Sequence, residues 1–188
     1  MEREGKKYEE YAYVLDILPH GRPGAARPSY HAGGIIQIVG ETYFTLLEAE
    51  PKRDADFQFR ERIYVGRAGR AKVSHVLGRM SYDDLTAAAK AELPIVIEEI
   101  IKYNEKRFIG FFNESQPVTP RMHSMELIPG IGKRLMWQII EQRERQPFKG
   151  FGDLQSRVNL TDPAKLLSRR VLKELSEEEK YLLFTRPI

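Results

Sequence analysis

Between Leu127 and Lys133 the chain reads Leu-Ile-Pro-Gly-Ile-Gly-Lys, residue types and spacing suited to holding an anion. Pro129 and Gly130 stop a helix, and Gly132 lets the backbone approach a ligand with no Cβ in the way. A new helix is predicted from Lys133, with Leu135, Met136, Ile139 and Ile140 keeping one face buried. Its first N–H groups have no acceptor within the helix and lie at the positive end of the helix dipole, with Lys133 and Arg134 beside them. Upstream, Thr119-Pro120 reads as a helix start, Thr at the N-cap and Pro at the first helical position, with a short helix to about Leu127. The chemistry such a turn offers is phosphate binding, and no bond is made or broken by it.

Nothing else in the sequence competes as a reactive centre. There is no nucleophile–base pair, no Gly-rich phosphate loop ending in Lys-Ser/Thr and no acidic metal cluster. The chain has no Cys, so disulfides and thiolate metal sites are unavailable. His20 and His31 have no third His or carboxylate nearby, so no metal and no cofactor is expected. No apolar stretch is long enough to cross a bilayer and the first ten residues are charged, which predicts a cytoplasmic protein with no membrane partner.

Net charge is only +3, but its distribution is uneven. Arg60, Arg62, Arg67, Arg70, Lys72 and Arg79 stand against the single acid Glu61 in that stretch, while acids gather at Glu48, Glu50, Asp54 and Asp56 and at Glu177–Glu179. Such segregation predicts a basic face for a nucleic acid; a solvated strand edge guarded by cations reads the same way. The loop from His20 to Gly34 adds Arg22, Arg27, Tyr30 and His31, types that contact phosphates or stack on bases.

These residues need elements to position them. Tyr11–Leu18, Ile35–Val39, Tyr43–Glu50, Arg62–Val65 and Lys72–Leu77 read as five short strands, with Gly-rich connections. That count suggests a small barrel of the oligonucleotide-binding (OB) kind; an SH3-like barrel fits the same pattern. Ser81-Tyr-Asp-Asp84 resembles a capping box, Leu85–Glu92 reads as helix, and Pro94 is expected to restart a helix running to about Lys106. Phe108, Phe111 and Phe112 read as packing residues. Residues 113–120, polar with two Pro, read as a linker. The fold class is therefore α+β: a barrel with flanking helices over 1–112, the linker 113–120, and an all-α unit over 121–188.

Residues 122–145 resemble the helix-hairpin-helix motif of DNA- and RNA-handling proteins, whose hairpin core is apolar-x-Pro-Gly-Ile/Val-Gly. That resemblance implies that Gly130, Ile131, Gly132, Lys133 and Arg134 hold backbone phosphates and read no bases. Phe148–Leu154 resembles the connector between two tandem units, with Asn159–Pro163 in the place of a second hairpin that lacks Gly-x-Gly and Pro163–Leu175 as its second helix. Trp137 then reads as a core residue, and Ser176–Glu179 as a capped helix start. Taken over nearly its full length, the chain resembles an uncharacterised archaeal family, domain of unknown function 655, described as predicted nucleic-acid-binding proteins. The resemblance implies RNA in preference to DNA and neighbours among ribosomal or RNA-processing proteins.

The expected function is non-catalytic, largely sequence-independent nucleic-acid binding, through the hairpin and through Arg62, Arg67, Arg70 and Lys72 of the barrel with Arg22 and Arg27 of the long loop. A protein-interaction adaptor of the translation or transcription machinery is the alternative. A DNA-repair glycosylase is the third reading, since Lys133 and Asp153 mimic that family's spacing. It fails on context: the glycosylase Lys falls one place later, where this chain has Arg134, and no all-helical domain precedes the hairpin to house a flipped base. Asp153 reads instead as the N-cap of the next helix.

Overall fold

The computed structural model describes residues 8–21 and 34–187. It is an α+β protein with a curled five-stranded antiparallel half-barrel and five helices. Two compact units are distinguished, Met1–Val96 with Phe184–Ile188, and Ile97–Leu183.

In the first unit the strands are β1 (Tyr11–Leu18), β2 (Ile35–Gly40), β3 (Leu46–Pro51), β4 (Arg62–Tyr64) and β5 (Val73–Arg79). Their order in the sheet is β4-β1-β2-β3-β5. β-branched and aromatic residues favour these segments, and Ala12, Val14, Ile36, Ile38, Ala49 and Val73 form a core with no solvent exposure. The sheet is not a closed barrel, because its edges are β4 and β5, and β4 offers only 3 residues for pairing. One tie invisible to strand patterning holds the β2–β3 turn: the buried Glu9 carboxylate accepts the N–H groups of Thr42, Tyr43 and Thr45 at 2.8, 2.9 and 3.2 Å. That is possible because position 40 is glycine; a Cβ there would lie 2.1 Å from the Glu9 carboxyl carbon.

The helix expected to restart at Pro94 is instead one uninterrupted helix, α1 (Ala87–Tyr103), with Pro94 inside it. Proline removes a hydrogen bond and crowds the preceding turn. Against that, Ala89, Leu93, Val96, Ile97, Ile100 and Ile101 are all buried, and their burial outweighs the loss. Ser81-Tyr-Asp-Asp84 closes a turn of its own through Asp84 Oδ2. The cap of α1 is Thr86, whose hydroxyl accepts the Ala89 N–H at 3.0 Å and donates to Asp16 in β1 at 2.5 Å.

The second unit continues with α2 (Glu105–Glu114), β6 (Pro117–Thr119), β7 (Met122–His123), a 3-10 turn (Ser124–Leu127), α3 (Lys133–Arg145), α4 (Phe151–Arg157) and α5 (Pro163–Ser176). Phe108 and Phe112 are fully buried, as packing residues should be. Residues 113–120, expected as a linker, carry the end of α2 and strand β6. Their polar groups serve the chain itself. Asn113 bridges the Phe148 backbone through both its amide atoms, at 2.9 and 2.8 Å, and Arg143 donates to the Phe112 and Ser115 carbonyls at 3.0 Å each. The helix expected from Thr119 is absent too. The Thr119 hydroxyl accepts the Arg121 N–H at 3.3 Å, which closes a turn and leads into β7. The acidic run after α5 starts no helix; Glu179 folds back onto Arg170 and Lys173 at 2.9 and 2.8 Å.

Candidate functional site

The turn from Ile128 to Gly132 is built from both sides. Before it, His123 and Glu126 form a reciprocal cap: His123 Nδ1 accepts the Met125 N–H at 3.2 Å and Glu126 accepts the His123 N–H at 2.8 Å. The chain then tightens through Ile128 N–H to Met125 O and Ile131 N–H to Ile128 O, at 3.1 and 3.0 Å. Gly130 sits at φ +95°, a left-handed conformation that glycine accepts at least cost. Gly132 is the N-cap of α3 at φ −86°, and its missing Cβ faces open space.

This geometry sorts the hairpin candidates. Lys133 and Arg134 are exposed, in a first turn that holds no acid. Their N–H groups belong to the helix start, where no intrahelical acceptor exists. Ile131 differs from expectation: its side chain is buried and its N–H is engaged with Ile128, so it supports the turn and offers no donor. The assembly can hold an anion by backbone donors, a helix dipole and two cations at once.

A buried polar group holds the turn in place. Arg170 in α5 is 1% exposed and donates to Leu127 O at 3.2 Å, to Glu174 at 2.8 Å, to Glu179 at 2.9 Å and to Tyr181 O. Arg157 donates to the Gln142 and Gln146 carbonyls at the end of α3, the latter at 2.7 Å. Asp153 is not the N-cap of α4, which is Gly150, but lies in its first turn. Its carboxyl is held below the usual aspartate value by the Lys149 N–H, and next by Arg157.

The basic run of the half-barrel is largely engaged with the chain. Arg62 forms two bonds to Glu41, at 2.5 and 3.1 Å, and its guanidinium lies 3.6 Å from the Tyr11 ring centre. Arg70 donates to the Val65, Gly66 and Ser74 carbonyls. Lys72 pairs with Glu61 and donates to Asp56 O. Partial burial pushes the Glu61 carboxyl up, but Lys72 and the Gln58 N–H outweigh it and hold it below the usual glutamate value. Arg60 meets Glu92 at 2.5 Å, and Arg79 donates to Pro187 O. Arg67 is the different one: it is exposed, stacked 4.2 Å over Tyr8, at the rim of a cavity of about 330 Å³ that Arg70 and Arg79 also line. Arg22, Arg27, Tyr30 and His31 lie outside the described residues; His20 is exposed.

Trp137 overturns its expected place in the core. It is 63% exposed and lines a groove of about 240 Å³ beside the start of α3. The sequence does carry a signal for this, because Met136 and Ile139 mark the buried stripe and the next residue turns about 100° away from Met136. Among the described residues, no cluster of three or more His, Cys, Asp or Glu is placed to hold a metal. Among the described residues no helix is long and apolar enough to cross a membrane.

Comparison with known proteins agrees on one family. A family model described as "Protein of unknown function (DUF655)" matches residues 8–186. Uncharacterized protein MJ0038 of Methanocaldococcus jannaschii is 42% identical over 183 residues, covering 96% of this chain and 82% of that protein. The crystal structure of Af1531 from Archaeoglobus fulgidus is similar with a TM-score of 0.86 and 44% identity, over 95% of this chain and 100% of that one. The family expected from the sequence is the family found, and the chain belongs to the DUF655 proteins of unknown function.

Proposed function

We propose that this chain is a non-catalytic, cytoplasmic nucleic-acid-binding protein that grips backbone phosphates at the 128–132 turn, in the manner of a helix-hairpin-helix. The observation that carries the reading is the junction at Gly132: an open N-cap, exposed Lys133 and Arg134, and no acid in the first turn of α3. Contacts of this kind neutralise phosphates without reading bases, so binding is expected to be sequence-tolerant and strongly salt-dependent. The preference for RNA over DNA rests on the family resemblance.

The half-barrel supports a second contact of the OB-like kind. Pairing of β1 with both β2 and β4, and of β3 with β5, is consistent with that topology. In OB folds the loops between the first and second and the fourth and fifth strands contact oligonucleotides. Arg67 lies on the latter loop, between β4 and β5, and is the barrel cation best placed to meet a phosphate.

The test is Gly132→Val combined with Lys133→Glu, both at exposed positions with allowed backbone angles. Electrophoretic shift with RNA is expected to show a loss of roughly tenfold or more, the scale of a charge-assisted hydrogen bond, while thermal unfolding is unchanged. Unaltered affinity in the folded variant ends the hairpin's role as the grip.

A further inference from the structure

We infer that the groove beside the start of α3 receives an unpaired nucleobase stacked on Trp137, so that the protein selects single-stranded over duplex nucleic acid. The inference rests on the phosphate-gripping reading of the neighbouring turn and adds what that turn lacks, a means of telling one strand from two.

An exposed tryptophan on a helix that already buries Met136 and Ile139 contributes little to folding. Here it is not alone. Met122 is 37% exposed, and with Pro117, Pro120 and Ile140 it lines the same groove as Trp137. At about 240 Å³ the groove lies below the roughly 300–1,000 Å³ of pockets for drug-sized ligands, which suits a single ring system.

Charge decides what kind of ring. Arg121 and Lys133 stand on the groove wall, and the positive end of α3 adjoins it. The acid on the wall, Glu126, has its Oε1 bonded to the His123 N–H at 2.8 Å. A purely apolar segment has no use for these cations; an anion carrying a flat apolar group uses both. A nucleotide has that form.

Spacing joins the groove to the turn. Lys133 and Trp137 are four residues apart on α3 and share one face, about 6 Å apart along the axis. A strand with a phosphate at Lys133 therefore has a neighbouring base in reach of the indole. In a duplex the faces of that base are covered by stacking, so only an unpaired base, in a single strand or a loop, can take the position.

Trp137 is the sole tryptophan of the chain, so its fluorescence reports on this groove and nowhere else. Full-length protein is titrated with a single-stranded RNA oligonucleotide, a DNA oligonucleotide of the same sequence, an RNA duplex, and an abasic strand with the same phosphates. The expected result is saturable quenching by the single strands, and binding without quenching by the abasic strand and the duplex. Comparison of the RNA and DNA arms shows which sugar is preferred. Trp137→Leu, at an exposed position, is expected to keep the fold and to weaken single-strand binding roughly 5- to 150-fold, the range for one base–aromatic stack. Single-strand binding with unchanged fluorescence, or unchanged affinity in Trp137→Leu, overturns this inference and leaves the phosphate grip standing. Quenching by the duplex equal to that by the single strands overturns it as well. If no nucleic acid binds, both readings fall, and quenching by an acidic peptide in that case assigns the groove to a protein partner.

Discussion

Arg170 donates from Nη1 to the Leu127 carbonyl at 3.2 Å, so a buried arginine of α5 holds the last residue before the 128–132 turn. The same guanidinium serves Glu174, which is itself buried, so the charge cannot be removed without stranding a carboxylate. Arg170→Met is expected to destabilise the protein by roughly 3–5 kcal/mol, the cost of breaking a buried ion pair from one side. Arg170→Lys should not restore it, because a point charge cannot span the positions that the fork reaches. Chemical denaturation of both variants checks this, and a loss below about 1 kcal/mol would sink the claim.

Glu9 and Gly40 make a comparable prediction in the half-barrel. Gly40→Ala drives a methyl group into the Glu9 side chain and displaces a carboxylate that accepts three backbone N–H groups. At roughly 1 kcal/mol per bond, the expected loss is about 3 kcal/mol. Glu9→Gln should cost less, since one amide oxygen still accepts. Thermal unfolding distinguishes the two.

Acid should destabilise the protein in two stages. Burial, and then Arg143, holds the His123 imidazole below its ordinary value of 6.5. The unfolded chain thus takes up the proton first, and stability present above pH 6.5 is lost as pH falls below it. Glu179 is held below 4.5, first by its bond to Lys173, and Glu61 also lies below 4.5; both add a second loss of the same sign below that pH. Melting temperatures from pH 8 to 4 should fall across both windows. His123→Asn, whose side-chain oxygen can still accept the Met125 N–H, should flatten the first.

The half-barrel cations should separate by role. Arg62 is already paired with Glu41 and stacked on Tyr11, so Arg62→Ala is expected to cost up to about 1 kcal/mol of stability and to leave the salt dependence of binding unchanged. Arg67→Ala should leave stability alone and lower the slope of log affinity against log salt by about one. Equal slopes for the two variants would remove Arg67 from the interface.

Much of this was legible in the sequence, for identifiable reasons. The strands were found because Val, Ile and Tyr runs between glycines follow a local rule, and the turn because Pro-Gly-Ile-Gly constrains its own backbone. Partners distant in sequence were not. Counting cations between Arg60 and Arg79 missed Glu41, Glu92 and the carbonyls that occupy them. The cap before the turn was missed because its acceptor is a histidine ring nitrogen, a rarer choice than Ser, Thr or Asp. Pro94 misled because local breaking rules ignore how much apolar surface the helix buries on both sides of it.

The contact between Glu9 and Gly40 also bears on how this sequence can change over time. A carboxylate at 9 and any side chain at 40 exclude one another in space. Neither position can drift alone without passing through a weakened intermediate. Across related sequences the two should therefore be inherited as a pair, glycine at 40 wherever the acid is kept, and substituted together where it is lost.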